Sequence, residues 1–195
     1  SGTVIAEEDI KKARNLQVIG RAGVGVDNIS IDIATKNGIV VMNVPDGNSI
    51  SAAEHTIAMM LALSRNLHIG HITLNKGKWE RAQLIGNELK GKVIGIVGLG
   101  KIGREVIDRV LPFKVKILGF DPYINKSLFK NDKVKIVDLD TLTKESDIIS
   151  IHIPLNNSTK DLFDFKRIQM MKKQSKIINV ARGGIINEFD LSKAL

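Results

Sequence analysis

With 195 residues, 43% of them hydrophobic and 26% charged, the chain is long enough for one good-sized globular domain, or one domain and part of another. It has no cysteine, which excludes disulfides and thiolate metal sites, and neither a bilayer-spanning apolar run nor a secretory signal pattern, so a cytoplasmic location without a membrane partner is expected. The net charge of +8 comes from lysines set singly or in pairs, with no long basic run and few aromatics between them; a nucleic-acid partner is not expected, and the positive field suits an anionic cofactor and an anionic substrate.

Glu7 to Ala13 read as a short helix and Leu16-Gln17-Val18-Ile19 as a strand. The strand runs into the glycine-rich loop Gly20-Arg21-Ala22-Gly23-Val24-Gly25-Val26-Asp27. Gly23-Val24-Gly25 can present backbone N–H groups to an anion, or simply let two elements approach; Arg21 beside it favours the anion. Ser30 reads as the N-cap of a helix over Ile31 to Lys36, which Gly38 stops. Ile39-Val40-Val41-Met42-Asn43 reads as a buried strand, followed by a turn at Pro45-Asp46-Gly47-Asn48-Ser49. This unit is too small to be a domain alone. Ser51 and Glu54 read as a capping box opening the longest helix. Dense apolar residues from Ile57 through Leu63 predict that this helix is buried on most sides as it carries the chain towards a second unit. Gly77-Lys78-Trp79-Glu80-Arg81 closes the region. His55, His68 and His71 lie along it, but no carboxylate is spaced to complete a metal site with His68 and His71, so no metal is expected.

From Lys92 onward, strands near 92–97, 115–120, 134–137, 147–153 and 176–180 alternate with helical segments. These segments include Leu139 to Glu145 and one running from Thr159 to about Met171. Such alternation predicts a doubly wound α/β fold: a parallel sheet covered on both faces, in strand order 3-2-1-4-5, with its ligand crevice where the order reverses. The first strand ends in Gly98-Leu99-Gly100-Lys101-Ile102-Gly103; a helical stretch from Arg104 to Leu111 stops before Pro112; the next strand ends on Asp121. Asp121 stands 23 residues after Gly98, close to the ~20 expected for an acid that takes a ribose 2′-hydroxyl. Strand, glycine turn, helix, strand and acid together make a dinucleotide-binding fingerprint. Gly98 permits a tight turn, Gly100 lets a pyrophosphate approach, Gly103 lets the helix pack on the strand, and the helix N-terminus attracts phosphate. A carboxylate at Asp121 repels the 2′-phosphate of NADP, and the loop behind it holds no arginine, only Lys126 as the nearest cation, so NAD is expected over NADP. The alternative is that Asp121 caps the turn opened by Pro122.

Two further loops follow strands, His152-Ile153-Pro154 and Asn179-Val180-Ala181-Arg182-Gly183-Gly184. The Arg182 guanidinium can hold a carboxylate by two parallel hydrogen bonds and polarise a neighbouring carbonyl; the plainer alternative is a surface arginine before a Gly-Gly turn. His152 reads as packed near the cofactor, which leaves no convincing proton donor. Trp79, the only tryptophan, reads as an interface anchor, with a core tryptophan as the alternative.

On five of these stretches the whole chain resembles the D-isomer-specific 2-hydroxyacid dehydrogenases. They are Gly20 to Asn28, Gly47-Asn48-Ser49 with Ser51 to Thr56, Gly77 to Arg81, the turn at Gly98, and Asn179 to Gly184. The resemblance implies part of a flavodoxin-like substrate domain over residues 1–46 and a Rossmann-type NAD-binding domain over 47–195, truncated at its C-terminal end. It implies hydride transfer between NAD and C2 of a D-2-hydroxy acid. The Arg21 loop and the Trp79 segment favour 3-phosphoglycerate, oxidised to 3-phosphohydroxypyruvate in the first step of serine synthesis. In the family pattern Arg182 is the catalytic arginine, Val24 and Gly25 meet substrate and nicotinamide, and Arg21 and Arg81 are candidates for the substrate phosphate, Arg81 acting on a neighbouring subunit. Gly98, Gly100, Lys101, Ile102 and Gly103 line the pyrophosphate and Asp121 the ribose, while His152, Ile153, Pro154, Val180, Ala181 and Arg182 complete the cofactor wall. A homodimer or homotetramer is implied. The family's proton relay, a Glu and then a His, falls beyond Leu195. With Ser1 at one end and a helical stretch at the other, a fragment with little turnover of its own is expected. A glyoxylate or hydroxypyruvate reductase, and an NAD-sensing corepressor that binds peptides, stay open as other readings.

Overall fold

The computed structural model describes residues 3–124 and 132–195. The chain divides into two compact units, Ser1–Ser49 and Ile50–Leu195.

The first unit contains α1 (Glu7–Lys12), β1 (Val18–Gly20), α2 (Ile31–Lys36) and β2 (Val40–Met42). The strands pair in parallel, Val18 against Val40 and Gly20 against Met42. Three acids in the first turn of α1 and two lysines in its last turn complement the helix dipole. Gly38, with φ of 70°, ends α2 as expected. Ser30 does precede α2, but its side chain makes no capping hydrogen bond. Ile10, Ile19, Ile29, Ala34 and Ile39 form the small core, with Val41 packed against it. The strand around Val41 is not the buried one expected, for Val40 and Met42 are 55% and 53% exposed. Strand alternation explains this: Val18, Val40 and Met42 share the face of the two-stranded sheet that no described helix of this unit covers.

α3 (Ser49–Ser64) starts two residues before the expected capping box, so Ser51 lies inside the first turn rather than at the N-cap. It buries one face, through Ala53, Thr56, Met60 and Ser64, while Ala58 and Met59 remain exposed. The dense apolar run therefore overstated its burial: a helix laid on a sheet needs only one stripe at three-to-four spacing. A left-handed residue, Asn66, separates α3 from α4 (Leu67–Asn75). α4 closes in a Schellman motif: Gly77 takes φ of 68°, its N–H donates to the Leu74 carbonyl at 2.9 Å, and Lys78 N–H donates to the Thr73 carbonyl at 2.9 Å.

The sheet of the second unit is built from β3 (Val93–Val97), β4 (Lys116–Phe120), β5 (Val134–Ile136), β6 (Ile148–Ile151) and β7 (Lys176–Asn179). Its order is β5-β4-β3-β6-β7, every pair parallel, which is the expected 3-2-1-4-5 arrangement. Between and after the strands come α5 (Lys101–Val110), α6 (Leu139–Glu145), α7 (Phe165–Gln169) and α8 (Glu188–Ala194). Ile94 and Ile96 face Met60 of α3 and Val106, Ile107 and Val110 of α5. Val97, Ile149 and Ile151 share the other core with Leu142 of α6 and with Phe163. All four residues of β6 are buried, as a central parallel strand requires. α7 is much shorter than the helix expected from Thr159. Thr159 Oγ1 donates to the Pro154 carbonyl at 2.6 Å, Asp161 takes φ of 52°, and Phe163 bridges to Ile186. Burying Phe163 on that bridge demands extended backbone, so helix begins only after Asp164, whose Oδ1 accepts the Arg167 N–H at 2.8 Å.

Asp147 leads into β6. Its Oδ2 accepts the Val93 N–H at 2.8 Å and its Oδ1 pairs with Lys172 Nζ at 3.0 Å. Burial pushes this carboxyl up, but the Val93 N–H and Lys172 outweigh it and hold it below the ordinary value. Its stabilising effect is present above the unfolded pKa of about 3.9 and is lost as pH falls through the lower folded value. Asp147→Asn is expected to cost about 1 kcal/mol near neutral pH, since the site is partly screened by solvent. Thermal melts should show a Tm a few degrees below the parent, with the gap closing on acidification below about pH 4.

Candidate dinucleotide site

β4, β3, β6 and β7 end in one row: Phe120 pairs with Val97, Val97 with Ile151, and Ile151 with Asn179. At about 4.8 Å per strand the row spans about 14 Å. The loops leaving it begin at Asp121, Gly98, His152 and Val180. One sheet edge thus carries Gly98, Gly100, Lys101, Ile102, Gly103, Asp121, His152, Ile153, Pro154, Val180, Ala181 and Arg182. Arg81 is elsewhere, exposed at the start of the 3-10 helix Arg81–Leu84; just beyond that helix, the Ile85 carbonyl accepts Asn66 Nδ2 at 3.1 Å. Arg21, Val24 and Gly25 belong to the first unit, in the loop after β1. There Arg21 N–H donates to the Met42 carbonyl at 2.8 Å and Asn43 Nδ2 to the Val24 carbonyl at 2.7 Å, which ties the loop to the end of β2.

The glycine turn is sterically determined. Gly98 takes φ of 96°, and a Cβ there would stand 2.5 Å from the His152 carbonyl oxygen. A Cβ on Gly103 would stand 2.1 Å from the Gly98 carbonyl oxygen, so only glycine lets α5 approach the turn this closely. A Cβ on Gly100 would meet nothing within 4 Å, so the outer side of the turn is open. Gly100 is the N-cap of α5, without a side-chain cap, and the first-turn N–H groups have no acceptor within the helix. Those donors and the positive helix end suit a phosphate.

Asp121 makes two backbone hydrogen bonds. Its Oδ1 accepts the Tyr123 N–H at 2.9 Å, capping its own turn, and its Oδ2 accepts the Leu99 N–H at 2.9 Å, clamping the glycine turn. A carboxylate offers about four lone-pair sites, so capacity remains for ribose hydroxyls. Lys126 lies outside the described residues. At the end of β6, His152 Nε2 lies 2.8 Å from the Oγ of the fully buried Ser150. Burial pushes the imidazole down to about 4, so the ring is neutral at physiological pH.

As the last residue of β7, Asn179 organises the arginine loop. Its Oδ1 accepts the N–H groups of Ala181 at 3.0 Å and Arg182 at 3.3 Å, and its Nδ2 donates to the Arg182 carbonyl at 2.7 Å. Arg182 Nη1 donates to the Ala181 carbonyl at 2.7 Å. The sequence reading gave Asn179 and Ser150 no role. An asparagine at a strand end and a serine in an apolar strand were the available signals.

Among the described residues no cluster of three or more His, Cys, Asp or Glu side chains could hold a metal, and no helix is long and apolar enough to cross a membrane. An open glycine turn at a helix N-terminus, beside an acid on the neighbouring strand and at the reversal point of a parallel sheet, fits a dinucleotide and defines a dehydrogenase-type nucleotide-binding domain. Residues 57–195 match the family described as D-isomer specific 2-hydroxyacid dehydrogenase, NAD binding domain. The chain belongs to the D-isomer specific 2-hydroxyacid dehydrogenase family, and NAD is the cofactor of the matching domain. It is 45% identical over 196 residues to D-3-phosphoglycerate dehydrogenase of Methanocaldococcus jannaschii and 43% identical over 195 residues to that of Bacillus subtilis. Each match takes in all of this chain and 37% of the relative, so the chain spans little more than a third of their length. Among solved structures it is similar to NAD-dependent formate dehydrogenase from Staphylococcus aureus in complex with NAD, with 38% identity and a TM-score of 0.90 over 98% of this chain and 58% of the other. It is also similar to D-lactate dehydrogenase from Aquifex aeolicus complexed with NAD and lactic acid, with 33% identity and a TM-score of 0.88 over 97% and 57%.

The depressed His152 value has a measurable consequence. The unfolded chain takes a proton at the ordinary value of about 6.5, and the folded chain only near 4, so stability falls as pH drops between the two. His152→Gln, which retains a partner for Ser150, is expected to flatten this part of the Tm-against-pH curve. An unchanged slope would contradict the assignment.

Proposed function

We propose that this chain supplies the NAD-binding part, and some of the substrate side, of a D-3-phosphoglycerate dehydrogenase that moves a hydride between C2 of 3-phosphoglycerate and NAD. The observation that carries the reading is the single sheet edge from which the glycine turn, Asp121 and the Arg182 loop all start, in a chain similar along its whole length to proteins of that name. NAD, when bound, supplies the hydride acceptor. Gly98, Gly100, Lys101, Ile102 and Gly103 cradle the pyrophosphate and Asp121 holds the adenosine ribose. His152, Ile153, Pro154, Val180 and Ala181 form the remaining wall, the neutral His152 adding no charge beside the cofactor. Arg182 grips the substrate carboxylate and polarises the C2 oxygen, its backbone fixed by Asn179. Val24 and Gly25 meet the substrate, and Arg21 and Arg81 take its phosphate, Arg81 reaching across a homodimer or homotetramer. The 70% exposure of Trp79, two residues before Arg81, supports an interface there. The setting is cytoplasmic.

Calorimetry on the 195-residue chain tests the cofactor half. NAD is expected to bind more tightly than NADP. Asp121→Ala is expected to weaken NAD by about tenfold or more and to narrow the NAD/NADP ratio. Because Asp121 also clamps Leu99, a fall in Tm alone carries no weight, and the ratio decides. Preference of the parent chain for NADP would sink the assignment.

A second reading, a dehydrogenase for an unphosphorylated 2-hydroxy acid, is favoured by the likeness to D-lactate dehydrogenase. Exchanging this chain for the matching stretch of the Methanocaldococcus jannaschii relative separates the two. The chimera is expected to oxidise 3-phosphoglycerate with far higher kcat/KM than glycerate or lactate, and Arg182→Lys to lower that value about a hundredfold. Equal use of the phosphorylated and unphosphorylated acids favours the second reading.

A further inference from the structure

We propose that Arg104 is a positioning residue for the cofactor: through its hydrogen bond to the Leu99 carbonyl it orients the Gly100 peptide so that the Gly100 N–H faces the pyrophosphate. The proposal rests on the NAD reading above, but the clamp itself is visible in the chain alone.

Two successive peptides of the turn are held by side chains from two different elements. The Gly98–Leu99 peptide is held through its N–H, which donates to Asp121 Oδ2 at 2.9 Å, at the end of β4. The Leu99–Gly100 peptide is held through its carbonyl, which accepts Arg104 Nε at 2.9 Å, from the first turn of α5. In a planar trans peptide the carbonyl and the N–H point in opposite directions. Fixing the Leu99 carbonyl towards Arg104 therefore fixes the Gly100 N–H away from it. Separately, an added Cβ on Gly100 meets nothing within 4 Å, so the backbone at Gly100 is open to approach.

Glycine is what makes this clamp necessary. Gly98 and Gly100 flank Leu99 and have the widest choice of backbone conformations, so the turn that a phosphate can approach is also the turn most able to rotate its peptides away. The Leu99 side chain, 1% exposed, anchors the middle of the turn in the core but does not set the direction of the peptide after it. Arg104 does, and α5 carries it at the position where its backbone N–H already bonds to the Gly100 carbonyl at 3.1 Å. One residue thus holds the peptides on both sides of Gly100.

The test compares Arg104→Met and Arg104→Lys with the parent chain, using NAD, ADP-ribose and adenosine as probes. Arg104→Met is expected to weaken NAD and ADP-ribose about tenfold, and adenosine, which has no pyrophosphate, by less than twofold. Arg104→Lys retains a donor and should recover part of the loss. Equal weakening of all three probes, or none, would overturn the proposal. So would full recovery in Arg104→Lys with a steeper salt dependence, which would make Arg104 a charge acting on the phosphate directly. Amide NMR of the ligand-free chain adds a readout independent of NAD: Arg104→Met should shift the Gly100 resonance, and an unmoved resonance would overturn the proposal. Failure of the parent chain to bind NAD overturns the cofactor reading instead, leaving the amide measurement to judge Arg104.

Discussion

The parallel hydrogen-bond ladder across β4, β3, β6 and β7 decides where every loop of the cofactor site begins. Side chains alternate along a strand, so a slip of one residue in β3 would exchange its two faces, sending Ile94 and Ile96 into the space occupied by Leu142 and Phe163. The apolar cores on both sides forbid that. The ladder is also tied at its two ends. Asp147 holds the Val93 N–H where β3 starts, and Gly98 and His152 N–H groups donate to the Phe120 and Val97 carbonyls where the strands finish. With register fixed, Asp121, Gly98, His152 and Val180 have no freedom to start anywhere but side by side.

What the row supplies in position, the loops supply in orientation, and they do so with short local hydrogen bonds. Asp121 and Arg104 fix the glycine turn from either side. Asn179 fixes the arginine loop from within, and Ser150 of β6 fixes the imidazole of His152 just past the strand's end. Arg104, Asn179 and Ser150 each act on a residue two to five positions away, whereas Asp121 reaches Leu99 from the end of the neighbouring strand. Anion recognition by backbone N–H groups requires such fixing, because a peptide that can rotate loses the advantage of being preorganised.

Much of this was legible in the sequence. Short apolar bursts such as Val93-Ile94-Gly95-Ile96-Val97, bounded by turn residues, mark strands of a buried parallel sheet, and their alternation with helices leaves few topologies open. The glycine spacing and Asp121 point to the end of the sheet at which the structure lines up the starts of the Gly98, Asp121, His152 and Val180 loops. Helix starts were less legible. Ser51 and Glu54 match the capping pattern, but a match says nothing about whether Ser49 and Ile50 are already helical, and they are. Burial of α3 was overstated because apolar content does not reveal how many faces have neighbours. The stretch before α7 reads as helix by spacing, yet Phe163 is drawn into a bridge with a residue 23 positions later, a tertiary demand that local pattern does not contain. The roles of Asn179 and Arg104 were hidden for a related reason: both act through backbone atoms, which every sequence shares.

The central claim is that one end of the sheet, and not the other, receives the dinucleotide. Chemical-shift mapping of the backbone amides during titration with NAD tests it most directly. The account predicts the largest perturbations at Leu99 to Ile102, Asp121, Ile153 and Val180 to Arg182, along the row where β4, β3, β6 and β7 finish. Perturbations centred instead on Lys92, Asp147 and Lys176, where β3, β6 and β7 begin, would contradict it.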